Sequence, residues 1–293
     1  MGAYARLAAL FAALTAIFVG FGWIIGTLWF SDWVTGSLVF LALAAAMNLI
    51  AYFASDKIVL WSYRARIISE ADRPRLHGTV REVAQRAGLP MPRVAIVPTD
   101  TPNAFATGRD PRHAVVAVTE GILHLLTEDE LRGVLAHEIS HVKNRDILVM
   151  SVAATIAGAI SFMARMFWWN TMLGGSSRGR DNGVATLLAF LGMILAPLAA
   201  VLLQLAISRG REYRADHSGA LAIGEPLALA SALEKLEAAN RRRPFRFGSP
   251  ASQGLFIVNP FSPTGFVNLF RTHPPIQDRV ARLHDLAQGV DRY

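Results

Sequence analysis

Residues 135–145 read LAHEISHVKNR, and the kind of domain this chain carries turns on how that stretch is read. His137 and His141 lie four residues apart. On an α-helix that is about 40° around the axis, so both imidazoles leave one face and can share one ion. Zinc at ~2.0–2.1 Å from each nitrogen suits the spacing. Glu138 is turned about 100° from His137, beside such an ion rather than on it, where it can take a proton from a metal-bound water. The competing reading is two histidines on the polar face of a surface helix. Upstream, Thr127-Glu128-Asp129-Glu130 has the form of a capping box, with Thr127 capping and Glu130 reaching back. Leu131, Val134, Leu135, Ile139 and Val142 form an apolar ladder behind it, so the HEISH stretch is expected on a true helix.

The chain contains no cysteine, so a metal has to be held by histidine and carboxylate. A catalytic zinc takes three protein ligands and keeps one position open, which calls for a third ligand downstream. The metzincin extension would need glycine at 144 and histidine at 147; the chain has Asn144 and Ile147. The best candidate lies in SRGREYRADHSG, residues 208–219, where Glu212 and Asp216 are four apart on an expected helix. One carboxylate can bind the ion while the other accepts the remaining N–H of a ligand histidine. On spacing alone, an exposed face laced with Arg209, Arg211 and Arg214 is an equal reading, and His217 is a local rival.

Around these motifs the chain is 53% hydrophobic, above the average for a soluble domain. Four stretches absorb the excess: 7–30, 33–54, 147–169 and 184–207. Each is long enough for a helix to cross a hydrocarbon core of about 30 Å. The first exceeds the roughly 7–15 apolar residues of a signal peptide and is followed at once by a second, so a permanent anchor is expected. The net charge is +7, with Arg6, Lys57, Arg64, Arg66, Arg241, Arg242, Arg243 and Arg246 close to the apolar spans. That placement points these flanks to the cytoplasm, although Arg178 and Arg180 in the loop 170–183 run the other way. The basic charge hugs membrane boundaries and no nucleic-acid motif is present, so the lipid bilayer is the expected partner and nucleic acid is not.

The expected organisation is an N-terminal transmembrane hairpin over 1–54, the first half of a catalytic domain with the HExxH helix over 55–146, a second apolar hairpin over 147–207, and the second half of the domain with the third ligand over 208–293. Within it, helices are expected at 69–88, 209–219, 226–241 and 276–286, and strands at 93–97 and 114–118. A Pro-, Gly-, Ser- and Asn-rich stretch over 244–265 breaks the pattern.

HEISH, EYRAD after two apolar spans, NAFATG at 103–108 and RTHPP at 271–275 together resemble the HtpX family of membrane-bound zinc endopeptidases, relatives of the CAAX prenyl proteases. The likeness covers nearly the whole chain. It implies an α+β, mostly helical fold with a zincin-like, gluzincin-type catalytic domain and two transmembrane hairpins. It implies that His137, His141 and Glu212 bind one Zn2+ per chain, that Glu138 is the base and that Asp216 supports a ligand. Asn103 would lie along the cleft near an edge strand to which a substrate peptide can add. His273 and Arg279 match a histidine and an arginine that face the active site in the relatives, where a cation or imidazole would stabilise the oxyanion. A capping role before Pro274-Pro275 competes for His273, and an ion pair with Asp278 or Glu212 competes for Arg279. The resemblance further implies polypeptide substrates, in particular misfolded or damaged membrane proteins, and a bacterial inner membrane with the catalytic domain cytoplasmic. Two rivals stand beside it. A CAAX-type prenyl protease would have more spans, and a non-catalytic zinc-binding scaffold or sensor would fill all four metal positions with protein, often cysteine.

Overall fold

The first two apolar stretches form helices α1 (Ala3–Ile25) and α2 (Trp33–Ser62) in a computed structural model that describes residues 2–27, 31–158, 209–242, 254–259 and 274–290. Both helices are long and apolar enough to cross a membrane. Their most apolar windows are only 22% and 11% buried, unlike the core helix of a soluble protein. Leu38, Val39, Leu49, Ile50 and Phe53 stand open on α2, a band suited to lipid. Asp32 starts α2, its carboxylate accepting the Val34 and Thr35 N–H groups at 3.0 and 3.2 Å. The two helices cross closely where Gly22 faces Gly36. A Cβ on Gly22 would meet the Gly36 carbonyl oxygen at 2.5 Å, the small-residue contact by which membrane helices approach one another.

α2 runs eight residues past the expected end of its span and delivers Val59, Leu60 and Tyr63 to the sheet. Ile67, just before the helix expected over 69–88, lies in β1 (Arg66–Ile67). The next helix, α3 (Pro74–Ala87), begins at Pro74, later than expected, because Ser69 N–H and Oγ bind the Asp72 carboxylate in a turn and proline suits the first helical position. Strands β2 (Arg93–Val97), β3 (Ala104–Thr107) and β4 (Val115–Thr119) follow. The sheet order is β1-β2-β4-β3, with β2 and β4 parallel and the other pairs antiparallel. β3 is thus an edge, and NAFATG contributes the edge strand itself.

The strand alternation feeds two cores. Val94, Ile96, Ala104, Ala106, Val116 and Val118 face α3 and the helix α5 (Glu128–Lys143), which follows the short α4 (Glu120–Leu125). Ala95, Val97, Phe105, Val115 and Ala117 face the end of α2, residues 255–256 and Met150 and Ala154 of α6 (Asp146–Gly158). On that face Tyr63, Phe105 and Phe256 pack their rings with centroids 4.9–5.7 Å apart. The sheet therefore sits between α3 and α5 on one face and the apolar helices α2 and α6 on the other. α7 (Arg209–Ile223), α8 (Pro226–Arg242) and α9 (Ile276–Ala287) complete the described residues. The expected second hairpin beyond Gly158 and most of the 244–265 break lie outside them.

Candidate metal centre

α5 is fixed at its start. Glu130 N–H donates to Thr127 Oγ1 at 3.3 Å, and Glu130 Oε2 accepts the Thr127 N–H at 2.9 Å, closing the capping box. The same carboxylate accepts from Ser231 Oγ at 2.6 Å and pairs with Lys235 on α8. Burial works to raise the Glu130 pKa, but the bonds from Lys235, Ser231 and Thr127 outweigh it and hold the group at about 2. Val134, Leu135, Ile139 and Val142 of α5 are buried in the core, and the adjoining positions His137, Glu138 and His141 are each at most 2% exposed.

α7 crosses α5 at Gly219, where a Cβ would sit 2.9 Å from the Ala136 carbonyl carbon and the His137 nitrogen. Only a residue without a side chain permits this approach. It brings Asp216 and Glu212, one and two turns earlier on α7, to the histidines. Among the described residues, His137, His141 and Glu212 form a group whose ligand atoms all lie within 4.8 Å of one another. The two Nε2 atoms are 3.2 Å apart, His137 Nε2 is 3.8 Å from Glu212 Oε2, and His141 Nε2 is 3.5 Å from Glu212 Oε1. Ligands at ~2.1 Å around a tetrahedral ion are separated by about 3.4 Å, so this donor set fits zinc.

Each imidazole faces a carboxylate behind it. His137 Nδ1 is 2.8 Å from Asp216 Oδ1, so Nδ1 carries the proton and Nε2 presents its lone pair to the shared point. Burial, only partly opposed by Asp216, lowers His137 to about 4, which keeps it in the neutral, ligating form at pH 7. His141 Nδ1 lies 3.6 Å from Asp146 Oδ2, outside hydrogen-bond range. Burial opposes protonation of His141 also, but Asp146, Glu212 and Glu138 outweigh it and raise its pKa. Glu138 is raised to about 8, by burial first and by the Glu212 charge in addition, against the opposing influence of His141 and the Ala106 N–H.

Arg279 is fully buried and its guanidinium is engaged. Nε donates to Asp216 Oδ2 and Nη2 to Asp216 Oδ1, each at 2.7 Å, and Nη1 donates to the Ile257 carbonyl at 2.8 Å. It pairs with Asp216, not with the Asp278 or Glu212 weighed from sequence. Asn103 is buried beside β3: its Nδ2 donates to the Val258 carbonyl at 2.7 Å and its Oδ1 accepts the Ala104 N–H at 3.1 Å. Because Asn103 O accepts the Thr119 N–H, the backbone groups of Ala104 and Ala106 turn to the outer edge. There Ala104 O accepts the Ile257 N–H at 3.3 Å and Ala106 N–H reaches Glu138. His273 lies outside the described residues.

Sequence reasoning missed Asp146, which is 3% exposed and accepts from Arg6 Nη2 at 2.9 Å and Arg211 Nη1 at 3.2 Å. The available signal was an acid immediately before the apolar run beginning at Ile147, a costly place for an unpaired charge.

Residues 70–287 match the family described as Peptidase family M48. Along its full length the chain is similar to a protease HtpX homolog of Pyrococcus abyssi, 52% identical over 98% of this chain and 97% of the relative. A protease HtpX homolog of Syntrophobacter fumaroxidans is 51% identical over 98% and 100%. Among solved structures, S. mikatae Ste24p shares the fold with a TM-score of 0.51 at 18% identity, over 95% of this chain and 64% of that one. Half-identity to HtpX homologues from end to end, joined to a family match that contains every residue of the metal centre, makes this chain a member of peptidase family M48.

Proposed function

We propose that the chain is a membrane-anchored, zinc-dependent endopeptidase that hydrolyses peptide bonds of polypeptides at the membrane surface. The observation that carries this reading is the convergence of His137, His141 and Glu212 on one buried point with Glu138 on the same helix. The names of the relatives, proteases that are HtpX homologues, support it. His137 and His141 through Nε2, with one Glu212 oxygen, would hold the zinc, which when bound supplies Lewis acidity toward a scissile carbonyl and lowers the pKa of water.

The chain's own residues do the rest. Asp216 keeps the proton on His137 Nδ1, and Arg279 keeps Asp216 ionised and in place. Glu138 accepts the proton of the attacking water and delivers it to the leaving amine nitrogen. A substrate peptide lies along the outer edge of β3, past the part that Ile257 covers, and pairs with its backbone. Asn103 holds residue 258 against the start of that strand, so its role is to shape the cleft. Arg279, fully occupied by Asp216 and Ile257, acts on the reaction through His137 and not on the oxyanion directly. For His273 the oxyanion role is kept as a proposal from the family resemblance.

We propose the organisation as an N-terminal transmembrane hairpin over 1–54, catalytic halves over 55–146 and 208–293, and an apolar hairpin over 147–207; the apolar helices α1 and α2 support the first of these. The basic flanks support placement of the catalytic domain at the cytoplasmic face of the cell membrane. Misfolded or damaged membrane proteins are the substrates we favour, since the site lies beside helices that themselves sit in the bilayer. The test is Glu138→Gln in the full chain: zinc content stays at the parent's level while cleavage of an unfolded or membrane substrate is lost. Cleavage at the parent's rate would refute Glu138 as the base, and a chain that binds zinc but cleaves nothing in either form would favour the scaffold or sensor.

A further inference from the structure

The first apolar helix reaches Asp146, the carboxylate that lies beside His141. Arg6, in the second turn of α1, donates through Nη2 to Asp146 Oδ1 at 2.9 Å, across 140 residues of sequence. Arg211, the residue before Glu212, donates through Nη1 to the same oxygen at 3.2 Å. Both arginines therefore occupy Oδ1, and Oδ2 is left toward His141 Nδ1 at 3.6 Å. A second contact lies one residue away: Arg145 Nη1 donates to the Tyr4 hydroxyl at 2.6 Å and its guanidinium lies over the Tyr4 ring. Arg145 has φ +57°, a left-handed residue that ends α5 before α6 begins at Asp146. Below this polar junction Leu7, Leu10 and Leu14 of α1 pack against Leu148, Val149 and Val152 of α6. The helix is thus fixed in register by apolar contacts, with Arg6 held at the height of Asp146.

We propose that Asp146 is the positioning residue for His141, and that α1, through Arg6, is part of the apparatus that orients this metal ligand. The inference rests on the metal-centre reading above. Physically, a ligand imidazole whose far nitrogen has no fixed acceptor can rotate and lose its tautomer, and a carboxylate behind it removes that freedom. Asp216, held by Arg279, does this for His137. Asp146 is the corresponding group for His141, and it is held by arginines from two elements, one of them an apolar helix. The gap of 3.6 Å is short enough that a small turn of the ring closes it. Among the described residues, buried Arg211 Nε and Nη2 have no hydrogen-bond partner, so the bond to Asp146 is the one Arg211 makes there.

The experiment uses the full chain in detergent micelles and measures zinc affinity by chelator competition, with the thermal midpoint of the metal-free form alongside. Asp146→Asn should weaken zinc binding by roughly 10- to 100-fold, the range for groups that orient metal ligands. Arg6→Gln should weaken it by a smaller factor, on the order of 10-fold, and Arg6→Lys should recover part of the loss. The Arg6→Gln/Asp146→Asn double variant should bind no worse than Asp146→Asn alone, because both act through one contact. The proposal is overturned if the variants melt lower yet bind zinc as the parent does, or if the two losses add. Should Asp146→Asn fail to fold, Arg6→Gln, a partly exposed side chain, and Arg6→Lys decide the matter alone. A parent that binds no zinc would instead bring down the metal-centre reading itself.

Discussion

Arg279 grips Asp216 with two parallel bonds of 2.7 Å in a fully buried pair, and Asp216 in turn faces His137 Nδ1 at 2.8 Å. Through Asp216 of α7, the pair ties α9 to α5, the helix that carries HEISH. Burial would raise the Asp216 pKa, but Arg279 outweighs it and keeps the group ionised.

Removing one partner of such a pair leaves a buried charge without its counterpart, at a cost of about 3–5 kcal/mol. Arg279→Met should destabilise the domain by that order and weaken zinc binding. Arg279→Lys keeps the charge but not the two-pronged geometry and should recover only part of either. Denaturant unfolding in detergent and chelator competition check both; equal zinc affinity in all three forms would separate Arg279 from the metal centre.

Zinc binding should release protons. With Glu138 at about 8 in the metal-free chain, it is largely protonated at pH 7. His141 is raised above its usual value, Asp146, Glu212 and Glu138 outweighing its burial, so it holds a proton more firmly than a free imidazole does. His137, at about 4, has none to give. Calorimetry at pH 7 in buffers of different ionisation enthalpy should find roughly one to two protons released per zinc, falling as pH rises past about 8. Zero release at pH 7 would show Glu138 already ionised.

Glu130 gives a pH-dependent term in stability. Its folded pKa of about 2 lies below its usual 4.5, so its contribution is full above about 4.5 and is lost as pH falls toward 2. Against Glu130→Gln, the parent should be more stable by on the order of 2 kcal/mol at pH 7, a figure discounted for the half-exposed Lys235, with the difference shrinking below pH 4.5. A difference unchanged at pH 3 would remove the ionised capping box from the account.

Gly219→Val places a side chain against the backbone of Ala136 and His137. It should cost about 1–3 kcal/mol and lower zinc affinity together, because it pushes Glu212 and Asp216 away from the histidines. Loss of stability with full zinc affinity would contradict the crossing at Gly219 as the element that assembles the site.

What the sequence made legible was local. The capping box at Thr127, the HEISH helix, the strands near 93–97 and 114–118 and the limits of α8 and α9 follow from spacing and caps, and the structure contains them. β3 was harder to see, because Ala104–Thr107 is buried throughout and has no polar alternation to mark it. β1 is two residues long and reads as the approach to a helix. At the site, the i, i+4 spacing of His137 and His141 could be read directly, and that of Glu212 and Asp216 stood level with an exposed face until the family resemblance was added, whereas Arg279 on Asp216 and Arg6 on Asp146 join elements 63 and 140 residues apart. No local pattern encodes such pairs; they follow from the crossing of α5 and α7 and the packing of α1 along α6.

The most direct test is the zinc content and coordination of the purified full chain, compared with Glu212→Ala. The account predicts one zinc per parent chain, bound by two imidazoles and one carboxylate, and a large loss of affinity in Glu212→Ala. A parent without stoichiometric zinc, or a Glu212→Ala chain that holds zinc as tightly as the parent, would contradict it.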